Sequence, residues 1–283
     1  MLLINKAFNS VQFADKNSIL VDFHDEEVIK ILLTEISKLG NVYLPEYTSN
    51  QLQKIKPLSK TLTAWKNDVN PYINYAVGKY GEYPNRRRNN LLHRLDSKNM
   101  KASLITATDK ENLEICFAID IDSAKQAKGK GIFYRSDVKK FYQLLSKYNP
   151  ENIQINLMYF ENKPVSYLIG FLVKGTYQAS QKAFLTGYEY FNPGKLLMIK
   201  VIDYYSINGN PIIELGRGYD RFKRDFSKDY HELYNLFISE NKFIRLYISS
   251  VSKLRMRLYE LMYRNVKIYR SYTRLRDYIN YKT

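Results

Sequence analysis

Read for the spacing of apolar positions, the first half of the chain alternates between stretches of period two and period near 3.6. Residues 18–23 read as a strand, and Asp25 stands as the cap of a helix through Leu39 with Val28, Ile29, Leu32, Leu33 and Ile36 on one face. A short strand over 41–44 is ended by Pro45, and 51–66 is a basic helical stretch interrupted at Pro57. Residues 72–77 read as another strand. Pro84 then occupies the first-turn position of a helix over 85–96. Its apolar side is Leu91, Leu92 and Leu95, and it carries Arg86, Arg87, Arg88 and Arg94. A strand over 102–106 and a helix over 110–128 complete a βαβα run. The charged, glycine-bearing stretch Lys128, Gly129, Lys130, Gly131 reads as a boundary or a mobile loop.

The second half is more regular. Ser136 reads as the cap of a helix that buries Val138, Phe141, Tyr142, Leu144 and Leu145 and is closed by Asn149 and Pro150. Three strand-like runs follow, over 153–160, 165–173 and 178–187, the first two joined by a hairpin-length turn over 161–164. An apolar helix over 196–205 is opened by Asn192, Pro193 and Gly194. A strand over 211–215, the turn Gly216, Arg217, Gly218 and a short helix come next. From 242 to 283 there are eleven basic residues and two acidic ones, with Leu254, Leu258, Leu261 and Met262 at helical spacing, so one long helix or a pair is expected. The order of elements predicts an α/β fold with helices flanking a sheet.

Composition narrows this picture. With 45% hydrophobic residues over 283 positions, the chain can bury a sizeable core as a globular protein. No run approaches the roughly 18 apolar residues of a transmembrane helix, and Met1, Leu2, Leu3, Ile4 turn polar too soon for a signal peptide. The single cysteine, Cys116, excludes an internal disulfide and fits a reducing cytoplasm. Three scattered histidines, His24, His93 and His231, offer no zinc spacing, and no metal is expected. Lys and Arg total 44 against 28 for Asp and Glu, a formal +16. That excess fits anionic partners, whether nucleic acid, anionic membrane, acidic glycan or a phosphate-bearing cofactor, or else a merely basic surface.

Two junctions carry candidate chemistry. At the first, a strand ending at Gly187 is followed by Tyr188, Glu189, Tyr190, Phe191, Asn192, Pro193, Gly194, Lys195 and a helix. A helix opened this way presents backbone N–H groups at its positive end, where a pyrophosphate could rest with Lys195 as an added charge. The alternative is an ordinary turn. At the second, the strand Ile212, Ile213, Glu214, Leu215 delivers Arg217 between two glycines, then Asp220 and Lys223 at helical spacing and Phe226. Ligand sites in α/β sheets favour the carboxyl ends of strands, although an Arg–Asp or Asp–Lys pair on a solvated turn would read the same way.

Taken together and in order, these features resemble the GNAT acyltransferases of the CelD/BcsL type, which are exopolysaccharide-associated and related to Fem-type aminoacyl transferases. The resemblance rests on Asn192, Pro193, Gly194, Lys195, Leu196, Leu197 and on Glu214 to Lys223 with Phe226, and is clearest over 136–226. The chain departs from the family pattern at Glu214, Tyr219, Phe222 and Phe226, and keeps one acid, Asp220, of a usual pair.

The resemblance implies a GNAT fold: a truncated N-terminal GNAT-like half over 1–130, an acyltransferase domain over 131–240 and a basic helical segment over 241–283. It also implies that acetyl-CoA or another acyl-CoA lies in the opening between two splayed parallel strands, here 178–187 and 211–215. Its pyrophosphate would sit on the helix begun by Asn192, Pro193, Gly194, Lys195 and Leu196. An amine of a sugar or polysaccharide precursor would attack the thioester directly. Asp220 or Glu214 would serve as base, Arg217 and Lys223 would hold an anionic group, and Tyr188 or Tyr219 would protonate the thiolate.

Rival readings attach to the charge. Arg86 to Arg88 and a basic C-terminal segment interleaved with Tyr259, Tyr263, Tyr269 and Tyr272 would suit nucleic acid. A Fem-like transferase using aminoacyl-tRNA would reconcile both features. Docking of the C-terminal helix on an anionic membrane would place a cytoplasmic protein at the inner membrane face. A degenerate, non-catalytic GNAT scaffold completes the alternatives.

Overall fold

A computed structural model of the protein describes residues 26–38, 40–74, 85–129, 131–209, 212–218 and 220–264. The strand expected over 18–23, the cap Asp25, residues 75–77, Pro84, Pro211, Tyr219 and the tail beyond 264 lie outside the described residues, as do the side chains of Arg86, Arg87 and Arg88. The described residues group into two compact units, one from 26–68 together with 232–264 and one within 69–231.

The first unit holds helix α1 (Glu26–Lys38), strand β1 (Val42–Thr48), helix α2 (Ser49–Ile55), the first half of strand β2 (Leu62–Asn74), most of strand β8 (Tyr230–Ile238) and helix α8 (Lys242–Arg264). Ile29, Leu33 and Ile36 of α1 are buried, as their spacing predicts, against Val42, Leu44, Tyr47, Leu236 and Ile238. Pro45 does not end β1. The strand bulges between Leu44 and Tyr47, with Glu46 at φ 68° and its amide donating to Asn235 Oδ1 at 3.2 Å, and then resumes pairing with β8. A bulge accommodates a residue without an N–H because the ladder is already interrupted there.

Thr48 and Gln51 form a reciprocal capping box that starts α2. The helix expected to run on to Lys66 stops at Ile55. After Lys56–Leu58, the chain enters β2, so Lys66 is a strand residue. Strand β8 was not anticipated, because His231 and Glu232 interrupt its apolar pattern at the start.

The second unit contains helix α3 (Asn85–Asp96), strand β3 (Ala102–Ala107), helices α4 (Lys110–Ile121) and α5 (Ser136–Tyr148), strands β4 (Ile153–Phe160), β5 (Lys163–Val173) and β6 (Thr176–Phe184), helix α6 (Pro193–Ile207), strand β7 (Ile212–Glu214) and the short helix α7 (Arg221–Arg224). The strand order is β2-β7-β6-β5-β4-β3. Every pair is antiparallel except β6 with β7, which α6 connects in parallel.

Both faces of this sheet are covered, so its central strands read as near-continuous apolar runs. Alternate residues Ile153, Ile155 and Leu157 of β4 pack with Leu113, Phe117, Phe133, Val138 and Tyr142 under α4 and α5. Met158 and Phe160 face the opposite layer of Leu91, Leu95, Leu196, Leu197, Val201 and Ile202. Two helix expectations change in detail. Ser136 is the first helical residue rather than the cap, a position Arg135 takes without a side-chain bond. Helix α4 ends at Ile121 instead of continuing to Lys128. One residue before that end, Asp120, fully buried, turns its Oδ2 to accept from Ile132 N at 2.8 Å and Phe133 N at 3.0 Å, holding the following loop against the helix.

Candidate functional site

The parallel ladder between β6 and β7 is three residues long: Thr176 faces Ile212, Tyr177 faces Ile213 and Gln178 faces Glu214. Beyond Glu214 the chain leaves β6. Leu215 N donates to Pro71 O and Gly218 N to Val69 O, both at 2.8 Å, while β6 continues along β5 to Phe184. Two parallel strands therefore part at Gln178 and Glu214, and the wedge opens toward their carboxyl ends. Helix α6 begins beside the far end of β6, where Gly194 stands next to the Phe184 ring.

At the root of the wedge, the Tyr177 hydroxyl is fully buried and accepts from Asn156 Nδ2 at 3.0 Å. Its ring stacks on Tyr205 with centroids 4.1 Å apart. Burial pushes the Tyr177 phenol well above its ordinary range, which favours the neutral hydroxyl.

Of the residues singled out from the sequence, Glu214, Arg217, Asp220 and Lys223 lie in the stretch that leaves the parallel ladder at the end of β7. Glu214 is the buried last residue of β7. Gly216 and Gly218, at φ 81° and 92°, allow a turn that L side chains would strain, and Arg217 is exposed between them. Asp220 caps α7, its Oδ1 accepting from Lys223 N at 2.9 Å. Lys223 is itself buried. Its ammonium donates to Gly216 O at 2.7 Å and to Arg217 O, so it props the turn from beneath. Tyr188, which follows β6, is partly buried on the side of β4 and β5, its ring packed against Phe160 and under the Lys163 ammonium.

The start of α6 offers less to an anion than the Pro-Gly pattern suggests. Asn192 adopts the left-handed φ of 53° that an asparagine tolerates, and Pro193 is buried at the first helical position. The amides of Lys195 and Leu196 both donate to Asn192 O, at 2.9 and 3.2 Å. Gly194 thus has the one first-turn amide with no partner among the described residues. Lys195 Nζ reaches Asp225 Oδ2 at 2.5 Å, and Leu196 is packed in the core.

Two contacts near the wedge were not anticipated. Lys182 of β6 places its ammonium 3.2 Å from the centre of the Phe222 ring on α7, and Asp225 holds Lys195. Alternation along β6 puts Lys182 on the same face as Phe184, which was a usable signal. Asp225 gave none, because its partner lies thirty residues away in sequence. Among the described residues, no group of three or more His, Cys, Asp and Glu is gathered as a metal site would require.

Residues 85–224 match the family model described as an acetyltransferase (GNAT) domain. No curated protein sequence matches the chain significantly. Among solved structures, FemX aligns at a TM-score of 0.57 and 10% identity, over 81% of this chain and 81% of that one. The L-PGS of Bacillus licheniformis aligns at 0.56 and 12% identity, covering 82% and 78%. The C-terminal domain of a putative lysylphosphatidylglycerol synthetase from Agrobacterium fabrum aligns at 0.56 and 11% identity, covering 80% and 78%. At such identities the likeness is one of fold. The parted β6–β7 pair, the helix between them and the matched stretch agree: this is an α/β protein of GNAT fold, with the GNAT acetyltransferase pattern carried by residues 85–224.

Proposed function

We propose that this protein is an N-acyltransferase that moves an acyl group, acetyl in the first instance, from acyl-CoA to an amine of a sugar or cell-surface polysaccharide precursor. The observation that supports this reading is the wedge where β6 and β7 part, with Glu214 at its apex and the start of α6 at its open end.

In the reaction, the amine nitrogen attacks the thioester carbonyl, the C–N bond forms and the C–S bond breaks. The amine proton goes to a carboxylate, Glu214 or Asp220, and the departing thiolate takes a proton from Tyr188. Arg217, exposed on its turn, meets an anionic group of the acceptor or donor. Lys223 holds that turn through the Gly216 and Arg217 carbonyls. The Gly194 amide would face the pyrophosphate.

A second reading has its own support. With the Lys195 and Leu196 amides turned to Asn192 O and the Lys195 ammonium paired to Asp225, the start of α6 is a sparse cradle for a pyrophosphate. An aminoacyl ester of tRNA, the donor implied by the resemblance to Fem-type transferases, does not need one there. The likeness in fold to FemX over four-fifths of the chain fits this donor equally well.

A thermal-shift panel of acetyl-CoA, longer acyl-CoAs, free CoA and aminoacyl-tRNA separates the two. A ligand at a hundredfold its Kd stabilises the folded state by about 2.7 kcal/mol. A shift with a CoA species supports the first reading, and one with aminoacyl-tRNA alone supports the second. No shift with either would remove both.

A further inference from the structure

We propose that helix α8 docks on an anionic phospholipid surface, with its apolar stripe in the interface and its basic residues among the headgroups. The helix is well started. Asn241 Oδ1 accepts from Phe243 N at 2.9 Å and Ile244 N at 3.2 Å, and the Arg245 guanidinium donates to Glu240 O.

Several of its large apolar side chains stay in solvent. Phe243 is 81% exposed, Tyr247 68%, Leu254 60% and Leu258 52%. At 3.6 residues per turn, positions 243, 247, 251, 254 and 258 fall within one sector of about 80°. A stripe of five such side chains is more than the scattered exposed apolar residues of an ordinary surface.

Charge says what covers it. Residues 242–264 contain Lys242, Arg245, Lys253, Arg255, Arg257 and Arg264 against one acid, Glu260. Lys253 and Arg257, both exposed, border the stripe on one side, and Arg255 borders it on the other. The first turn holds Lys242 and no acid, a placement that the positive end of a helix disfavours. The charge of Lys242 is therefore not explained by helix stability.

An apolar sector flanked by long basic side chains is the pattern of a helix lying in the plane of a bilayer interface. Attraction to anionic lipid adds about 1 kcal/mol per basic residue near the surface. A nucleic acid would use the cations and leave Phe243, Leu254 and Leu258 in water. Nor does the helix cross the bilayer, since no described helix is long and apolar enough to do so. The inference does not depend on which donor the wedge takes.

The test is co-sedimentation of the full chain with vesicles. One set is phosphatidylcholine alone, and the other contains equal parts phosphatidylcholine and phosphatidylglycerol. The variants are Phe243→Ser/Leu254→Ser, which keeps every charge, and Lys253→Gln/Arg257→Gln, which keeps the stripe.

The expected result is binding to the anionic vesicles only, weakened at least tenfold by either pair, with thermal unfolding unchanged because all four side chains are exposed. Anionic-vesicle binding that the serine pair leaves intact would overturn the docking mode in favour of bare electrostatics. Vesicle binding absent alongside salt-sensitive binding to polyuridylate would assign the face to nucleic acid. A concentration-dependent dimer abolished by the serine pair, with no vesicle binding, would assign it to a second copy of the chain. No binding to vesicles, RNA or itself would also overturn the proposal.

Discussion

The ammonium of Lys223 donates to the carbonyl oxygen of Gly216 at 2.7 Å, tying helix α7 to the turn that presents Arg217. Two residues that the sequence offers as equal cations at a ligand site thus play different parts. One is buried and faces backbone oxygens, while the other is exposed.

Replacing Lys223 by Met keeps much of the volume and removes the donor from two carbonyls. Loss of stability of about 1–3 kcal/mol is expected, measured by urea unfolding. The KM for the acceptor should rise as the turn loosens. Arg217→Ala should leave stability within about 0.5 kcal/mol, because the side chain is exposed, and reduce turnover on the true substrate. If Lys223→Met were as stable as the parent, the prop assigned to its ammonium would be wrong.

How far the sequence reveals these arrangements depends on the range of the interactions involved. Strands β4 and β5 and helices α3, α5 and α6 are legible because period and punctuation are local: Ile153, Ile155 and Leu157 alternate, and Asn149 and Pro150 stop α5. Strand β2 is misread as helix around Lys66, since its polar residues answer to partners far along the chain, such as Glu232. Pro45 misleads for a similar reason, as the bulge that accepts it is completed by Asn235. At the wedge, residue types are legible and their partners are not. Nothing near Lys195 in sequence announces Asp225, and nothing local says that the Lys223 side chain turns inward.

A buried carboxylate away from the wedge yields a second stability prediction. Asp120 Oδ1 accepts from the Tyr167 hydroxyl at 2.7 Å, and its other oxygen accepts the Ile132 and Phe133 amides. Tyr167→Phe deletes one bond to a charged group and should cost about 1.5–3 kcal/mol. Asp120→Ala strands one buried and one part-buried amide and should cost about 2–5 kcal/mol. Because the two residues share a bond, Tyr167→Phe should cost less when Asp120 is already Ala. Strict additivity in denaturant melts would show that the bond contributes nothing.

Cys116 of α4 is fully buried in the core beside Leu113 and Phe117, and burial holds its thiol well above the ordinary cysteine range, with Asp120 adding to the rise. A thiol kept protonated and covered does not react. In native protein, a maleimide should therefore modify Cys116 at the rate of global or local opening, and accelerate sharply across the unfolding transition. Stoichiometric labelling within seconds in buffer would contradict this placement.

The Lys66, Glu232 and Tyr234 chain gives a pH dependence with two arms. Glu232 accepts from Lys66 Nζ at 2.6 Å and from the Tyr234 hydroxyl at 2.6 Å, and the lysine bond first, then the tyrosine bond, lower its pKa. A carboxylate with a depressed folded-state pKa stabilises the fold above its unfolded value, and that contribution is lost as pH falls through the folded value. The pair is partly exposed, so the effect should stay below about 1 kcal/mol.

Tyr234, bonded to the same carboxylate, is pushed up to about 12 from 10.0. A raised phenol contributes stability that is intact below its unfolded value and lost as pH rises toward the folded one. Glu232→Gln should therefore be less stable than the parent at neutral pH. The difference should shrink in acid below the ordinary glutamate range. In base, the Tyr234 phenolate should appear at lower pH in the variant than in the parent, read by ultraviolet difference absorbance with Tyr234→Phe as the blank. Stability curves for parent and variant that run parallel from acid to neutral would show that the Lys66–Glu232 bond carries no weight in solution.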